Sequence, residues 1–281
     1  MNPKRFRRNW LSAGVGVIAI AAAAVVGSAS FSSSASAEEM MVERAKILKD
    51  IGVYGLFTTF KVRPSYYMLD AAERAMAADE VDALVMAHKD KVLVDAYLTR
   101  GFESESDFML RLNAYEPLNS QAFLTEFAAT RLGRNSDVTF SVFGVTKPLN
   151  HTTKEKSPDL LKALQETAYS APDPKYAFMI PIAKDAEWWN MSEADKLKRM
   201  EEHTLPTLPF LVNVKRKLYH STGIDDTDFI TYFETADLVA FNDLNIALFS
   251  VPEMLNNTRY GRPTVMGAIM SVKDVVMALS K

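Results

Sequence analysis

The period of the apolar positions changes repeatedly along this chain. The stretch 53–62 is rich in β-branched and aromatic residues, which predicts a strand, and over 69–89 the apolar positions recur at helical spacing in an Ala-rich stretch. The runs 92–99 and 108–114 read as strands around a Gly-containing turn, 118–132 as a helix and 138–145 as another strand. The order β-α-β-β-α-β then recurs. It reads strand 176–182, helix from Glu193, strands 214–221 and 229–234, helix 238–248 and strand 264–270.

The two halves also share residues. YLTRGFESESDFMLR from Tyr97 and YHSTGIDDTDFITYFE from Tyr219 each run Tyr, Gly four residues on, an acidic turn, then Asp-Phe opening an apolar strand. Each is followed by a helical stretch with a central Phe, Phe123 or Phe241. Two copies of one supersecondary unit are implied. The fold class is therefore α+β: two ferredoxin-like repeats, each an antiparallel sheet with helices on one face. Two such sheets can pack face to face as an α+β barrel of the dimeric-barrel type. The expected division is an N-terminal repeat over 38–150, a connector with a short helical piece over 151–174, and a C-terminal repeat over 175–281.

Residues 1–37 stand outside this pattern. Lys4, Arg5, Arg7 and Arg8 precede an apolar stretch at 15–26, too short for a comfortable bilayer span, and Ala35-Ser36-Ala37 offers small residues for cleavage. This reads as a signal peptide removed near Ala37/Glu38, which places the mature chain in the periplasm; an uncleaved anchor is the alternative. Arg7-Arg8-Asn9-Trp10-Leu11 only partly matches a twin-arginine signal, so the export route stays open.

Charge and cysteine content narrow the chemistry. The full chain has formal charge −3, and removal of the four basic leader residues leaves 28 Lys plus Arg against 35 Asp plus Glu, or −7. Nothing points to nucleic acid, and no membrane association is expected after cleavage. A small anionic substrate would need a local positive site against that field. The absence of cysteine removes disulfides, thiolate catalysis and covalent haem attachment. The nitrogen ligands available to a metal are His88, His151, His203 and His220.

The second half concentrates the unusual residues. Ser192 with Asp195 suits a helix N-cap, and Leu197, Met200 and His203 follow on one apolar side. Pro206 and Pro209 put His203 near the helix end. A lone His on such a face is more often a core residue than a ligand, and the adjacent Trp188 and Trp189 are more often core than cofactor wall. Strand alternation puts Arg216, Leu218 and His220 on one face and Lys215 and Lys217 on the other. A solvated edge is the plain reading of that run. Apolar Leu218 suggests instead that the Arg216 face is buried, and a buried guanidinium over Phe229, Thr231 and Phe233 suits a small oxyanion.

The stretches EWWNMS, EEHT and VKRKLYHSTGIDDTDFITYFET closely resemble respiratory-type, long-chain chlorite dismutases of perchlorate- and chlorate-reducing and nitrite-oxidising bacteria. VLVDAYLTRG, DFMLRLNAY and GVTKPLN in the first half agree. The resemblance runs from about residue 45 to 278. It implies one non-covalent haem b per chain with its iron on His203, and a catalytic distal arginine at Arg216. It implies that Glu253 accepts a hydrogen bond from the proximal imidazole, and that Lys184, Trp188 and Trp189 flank the proximal side. Leu218, Thr231 and Phe233 form the apolar distal wall, and Asn150, His151 and Thr152 lie along the haem edge. At His151 the sequence departs from the family, which carries Tyr there. The implied reaction converts chlorite to chloride and dioxygen by oxygen transfer to ferric haem and O–O bond formation; the implied assembly is a homo-oligomer, a pentamer. Two alternatives of the same fold stay open: a coproheme decarboxylase-like enzyme, which lacks the distal arginine, and a non-enzymatic haem-binding protein.

Overall fold

The computed structural model describes residues 42–148, 152–153 and 155–281. The leader at 1–37, Asn150 and His151 lie outside the described residues. In the first half, strands β1 (Tyr54–Val62), β2 (Leu93–Leu98), β3 (Phe108–Ala114) and β4 (Ser136–Val145) alternate with helices Ala71–His88 and Pro117–Phe127. In the second half come β5 (Tyr176–Lys184), β6 (Val214–His220), β7 (Phe229–Thr235), β8 (Asn257–Tyr260) and β9 (Val265–Met270), with helices Glu193–Thr204 and Leu238–Phe249.

Every strand pairing is antiparallel. The first half has the order β4-β1-β3-β2 and the second β6-β7-β5-β9, the same arrangement twice. The halves join at their edges, through Ala96↔Met270 to Leu98↔Ala268 between β2 and β9 and through Val145↔His220 between β4 and β6. With β5 pairing both β7 and β9, the pairings follow one another in a ring in which β4 and β6 meet only at Val145↔His220, and β8 pairs with β5 beyond the end of β9. The two sheets are thus edges of one nine-stranded sheet. The turns between β2 and β3 and between β6 and β7 each need Gly: Gly101 has φ 91° and Gly223 φ 74°, a region costly to side chains with a Cβ.

Alternation along the strands sorts residues into separate cores. Phe57, Tyr97, Met109, Tyr219, Ile230 and Tyr232, drawn from both halves, pack together on one face. Arg111 is buried among them, its charge met by Asp95 at 2.6 Å and by the Tyr232 ring at 4.0 Å. On the other face the first-half helices pack Phe60, Phe108, Phe123 and Phe127 with helix Val272–Leu279. Helix Ala71–His88 begins with a capping box, in which Asp70 accepts from Glu73 N at 2.7 Å and Glu73 accepts from Asp70 N; such a cap is worth about 1 kcal/mol. In the second half Phe178, Phe233 and Phe241 stack under helix Leu238–Phe249.

The helix expected to reach 132 stops at Phe127. Thr130 Oγ1 donates to Phe127 O at 2.7 Å and accepts from Gly133 N at 3.0 Å, a local alternative to helical bonding that turns the chain into a 3₁₀ turn at Gly133–Asn135. The helical piece in the connector is Pro158–Glu166. Strand β8 and helix Val272–Leu279 were not expected. Among the described residues no helix is long and apolar enough to cross a membrane.

Candidate functional site

Ser192 opens the helix that carries His203: its Oγ accepts from Asp195 N at 3.1 Å and donates to Asp195 Oδ2 at 2.6 Å. The helix ends at Thr204, where Pro206 and Pro209 convert the chain to a 3₁₀ run over Leu205–Phe210. Met200 and His203 project from it into a cavity of about 290 Å³, bounded on the far side by Ile182, Leu218 and Thr231 from β5, β6 and β7.

His203 Nδ1 lies 2.9 Å from Glu253 Oε2. Glu253 stands in the 3₁₀ turn Pro252–Asn256 and is 5% exposed. Its other oxygen pairs with Lys184 Nζ, and that ammonium also lies 4.4 Å from the centre of the Trp188 ring. Burial, the charge of Arg216 and the charge of Lys184 together lower the His203 pKa to about 4. The ring is therefore neutral near pH 7. With Nδ1–H donated to the Glu253 carboxylate, Nε2 keeps the lone pair that a metal needs. Burial brings the Lys184 ammonium down to about 7, opposed by Asp185 and Asp228. Asp228 Oδ2 also accepts from Lys184 N at 2.7 Å, which pins the end of β5.

Arg216 departs from the expectation of a buried face. Arg216 and Leu218 are both exposed, because their side of β6 looks onto open space and is not covered by packed side chains. Arg216 lines a second cavity of about 430 Å³ with Leu161 and Leu164 of the connector helix, Tyr169 and Lys215. Desolvation by the surrounding chain pulls its pKa below the ordinary value, and no acidic neighbour among the described residues raises it back. It nonetheless remains charged at any working pH. Its charge acts on His203 and helps lower the imidazole pKa, although Arg216 does not line the cavity that holds His203.

The structure brings together most of the residues singled out in the sequence. His203, Lys184, Trp188 and Glu253 line the first cavity, as do Trp189, Thr152, Leu218 and Thr231. Trp189 is 43% exposed and stacks on Phe229. Phe233 is set apart: it pairs with Arg216 across the β6–β7 ladder, yet its ring is buried 5.4 Å from that of Phe241 and does not reach the cavity. The long helix Leu238–Phe249 claims it for the core. On β6, Lys217 Nζ leaves the edge to donate to Leu48 O at 2.8 Å, and Lys215 lies over the Tyr169 ring. His220, which alternation put on one face with Leu218, lines the cavity, and Asn257 and Tyr260, which sequence reading missed, add to its wall. For Asn257 and Tyr260 the signal was absent, because β8 is short and polar.

Residues 74–269 match the family model described as chlorite dismutase. A chlorite dismutase of Ideonella dechloratans is 57% identical over 239 residues, covering 85% of this chain and 84% of that protein. Solved structures of the chlorite dismutase of Candidatus Nitrospira defluvii superpose with a TM-score of 0.82 at 38% identity, over 85% of this chain and all of theirs. A heme-binding protein of Thermus thermophilus, with a TM-score of 0.67 at 14% identity over 82% of this chain and 96% of that one, shares the fold alone. A fold built twice around a sheet ring, a neutral imidazole backed by a buried carboxylate, and these matches over most of the length lead to one assignment: the chain belongs to the chlorite dismutase family.

Proposed function

We propose that this protein is a haem b enzyme that converts chlorite to chloride and dioxygen. The observation that carries the reading is a neutral, carboxylate-backed His203 within the electrostatic influence of Arg216, a cation with no acidic partner among the described residues. The 57% identical chlorite dismutase of Ideonella dechloratans supports the same substrate.

The residues present fit a haem. Its iron is suited to one neutral nitrogen ligand, and His203 offers Nε2 while Nδ1 is committed to Glu253. The cavity is walled mainly by apolar and aromatic side chains, as a porphyrin face requires. With no cysteine in the chain, the attachment is non-covalent. When bound, the haem supplies a redox-active iron with an open position for oxygen transfer.

The chain supplies the rest. Glu253 takes the Nδ1 proton of His203 into a strong hydrogen bond and so increases the basicity of the ligand nitrogen. Lys184 neutralises that carboxylate, which permits it to remain buried. Arg216 attracts chlorite and holds anionic chlorine species near the reacting centre until the O–O bond has formed. Leu218, Ile182 and Thr231 limit the water that reaches this region.

Arg216 also separates this reading from a coproheme decarboxylase-like one, whose chemistry does not call for a distal cation, and from a haem carrier. Oxygen evolution by the purified haem-loaded protein, measured with an oxygen electrode on chlorite addition, tests it. Peroxide-dependent decarboxylation of coproheme with no oxygen from chlorite would overturn it. The leader at 1–37 supports export to the periplasm with cleavage near Ala37, which N-terminal sequencing of the native protein checks. A homopentamer is the proposed assembly, and sedimentation equilibrium measures it.

A further inference from the structure

The groups behind His203 arrive on two separate pieces of chain. Lys184 and Trp188 come from the end of β5 and the short helix Ala186–Asn190, and Glu253 from the 3₁₀ turn Pro252–Asn256. The Lys184–Glu253 ion pair and the β5–β8 ladder, which pairs Lys184 with Asn257, join the two, and a further bridge does so outside the cavity. Asp185 N donates to Asn256 O at 2.9 Å, and Asn256 Nδ2 lies 3.3 Å from each carboxylate oxygen of Asp185. Asp185 Oδ1 also accepts from Trp188 N at 2.7 Å, capping the helix that carries both tryptophans. Asn256 is 4% exposed. Neither residue lines the cavity.

The placement matters because each bridge residue sits next to a working one. Asp185 follows Lys184 directly, and Asn256 stands three residues after Glu253 in the same turn. A turn this short has little internal bonding, so external contacts fix its position. A slip of about 0.5 Å is the scale at which such constellations lose function. It would also stretch the 2.9 Å His203–Glu253 contact toward the limit of a hydrogen bond.

We propose that Asp185 and Asn256 form a positioning bridge that holds Glu253 against His203 and thereby sets how strongly the imidazole donates to the haem iron. This rests on the reading of the cavity as a haem site. The bridge touches neither His203 nor the cavity: its Asn256 arm acts through the Glu253 turn, while Asp185 also caps the Trp188 helix and faces Lys184. An ordinary helix cap needs only the contact from Asp185 to Trp188 N; the second contact, from buried Asn256, ties that cap to the Glu253 turn.

The test uses the haem-loaded full chain and two readouts, the iron–histidine stretching frequency of the ferrous protein by resonance Raman and the ferric/ferrous reduction potential. Asp185→Ala and Asn256→Leu are expected to lower the frequency and raise the potential while haem stoichiometry holds. Asp185→Asn, which keeps an acceptor for both Asn256 and Trp188, is expected to retain both wild-type values. Asn256→Ala removes only the bridging arm and serves if Asp185→Ala does not fold. Phe127→Leu, a destabilising change in the first-half core, is expected to lower the unfolding midpoint without moving either readout. Wild-type frequency and potential in the Asn256 variants, or equal shifts in Phe127→Leu, would overturn the bridge. If the band is present in wild type and lost in His203→Ala, such a result condemns the bridge alone. If wild type shows no such band, the haem reading falls and the bridge falls with it.

Discussion

His203 Nδ1 meets Glu253 Oε2 at 2.9 Å across a sequence separation of fifty residues, and the same carboxylate holds Lys184. Glu253 thus serves two cationic or proton-bearing partners in a site where its side chain is 6% exposed and that of Lys184 is 4% exposed. Glu253→Gln leaves the buried Lys184 ammonium without its contacting counter-charge, with only the nearby Asp185 and Asp228 to offset it, and removal of one partner of such a pair costs about 3 kcal/mol. The urea midpoint is expected to drop accordingly. The double variant Glu253→Gln with Lys184→Met is expected to recover part of that loss, because no charge is then stranded. A double variant no more stable than Glu253→Gln would mean that the pair is not what holds this corner.

Arg216 contributes little packing, since it is exposed on β6 and has no acidic partner among the described residues. Arg216→Ala is therefore expected to leave the unfolding midpoint within about 0.5 kcal/mol of wild type. Haem content should hold, while chlorite turnover falls by about 10²-fold, the usual loss when a preorganised charge is removed. The variant should also inactivate sooner, because hypochlorite escapes and oxidises the thioethers of the 14 Met residues. Wild-type turnover and lifetime in this variant would place the substrate elsewhere.

His203 is the proposed axial ligand, so His203→Ala is expected to change the ferric absorption spectrum and abolish oxygen evolution. An unchanged spectrum with full activity would assign the iron to another side chain. The acid dependence of the same residue has a worked sign. In the folded haem-free chain the imidazole titrates near 4, and in the unfolded chain near 6.5. Between those values the unfolded chain binds more protons, so stability rises with pH there. Its contribution is fully present above 6.5, is lost as pH falls toward 4, and changes no further below that. Urea titrations of haem-free wild type and His203→Ala at several pH values measure it: the steeper decline should belong to wild type.

Much of this arrangement was legible in the sequence, for reasons that differ by element. The strands 108–114 and 176–182 announced themselves because short, largely apolar runs bounded by turn residues are too short for helices, and they appear as Phe108–Ala114 and within Tyr176–Lys184. The twin turns showed because Gly101 and Gly223 satisfy the same backbone demand. Helix Val272–Leu279 was missed although Ser271 caps Asp274 N at 3.0 Å, a signal of the same kind as Ser192 with Asp195. The joining of the sheets at their edges was not readable, since Val145↔His220 is a single pairing with no pattern of its own. The side of β6 that carries Arg216 was misjudged because Leu218 looks like a core residue; an apolar side chain on a cavity wall obeys the same alternation as one in a core. Phe233 failed in the opposite direction, since alternation puts it on the cavity side of β7 but only tertiary packing reveals that Phe241 covers it.

The first half repeats the fold yet fills the equivalent space with rings. Phe123 is fully buried, stacked on Phe127 and set edge-on to His88 at 5.5 Å, while His88 Nε2 pairs with Glu126 at 3.1 Å on the outside of the helix pair. A His–Glu pair at the end of the corresponding helix is thus present in both halves, and that of the second half lines the cavity. The first half should accordingly be scaffold. Phe123→Ala removes a buried ring and leaves a hole, which costs about 3–5 kcal/mol. The expected outcome is a large fall in the urea midpoint with an unchanged haem absorption spectrum and unchanged chlorite turnover per haem in the folded fraction. Loss of turnover per haem at full haem loading would show that the first-half core reaches the site, through the β2–β9 and β4–β6 joins that connect the two sheets.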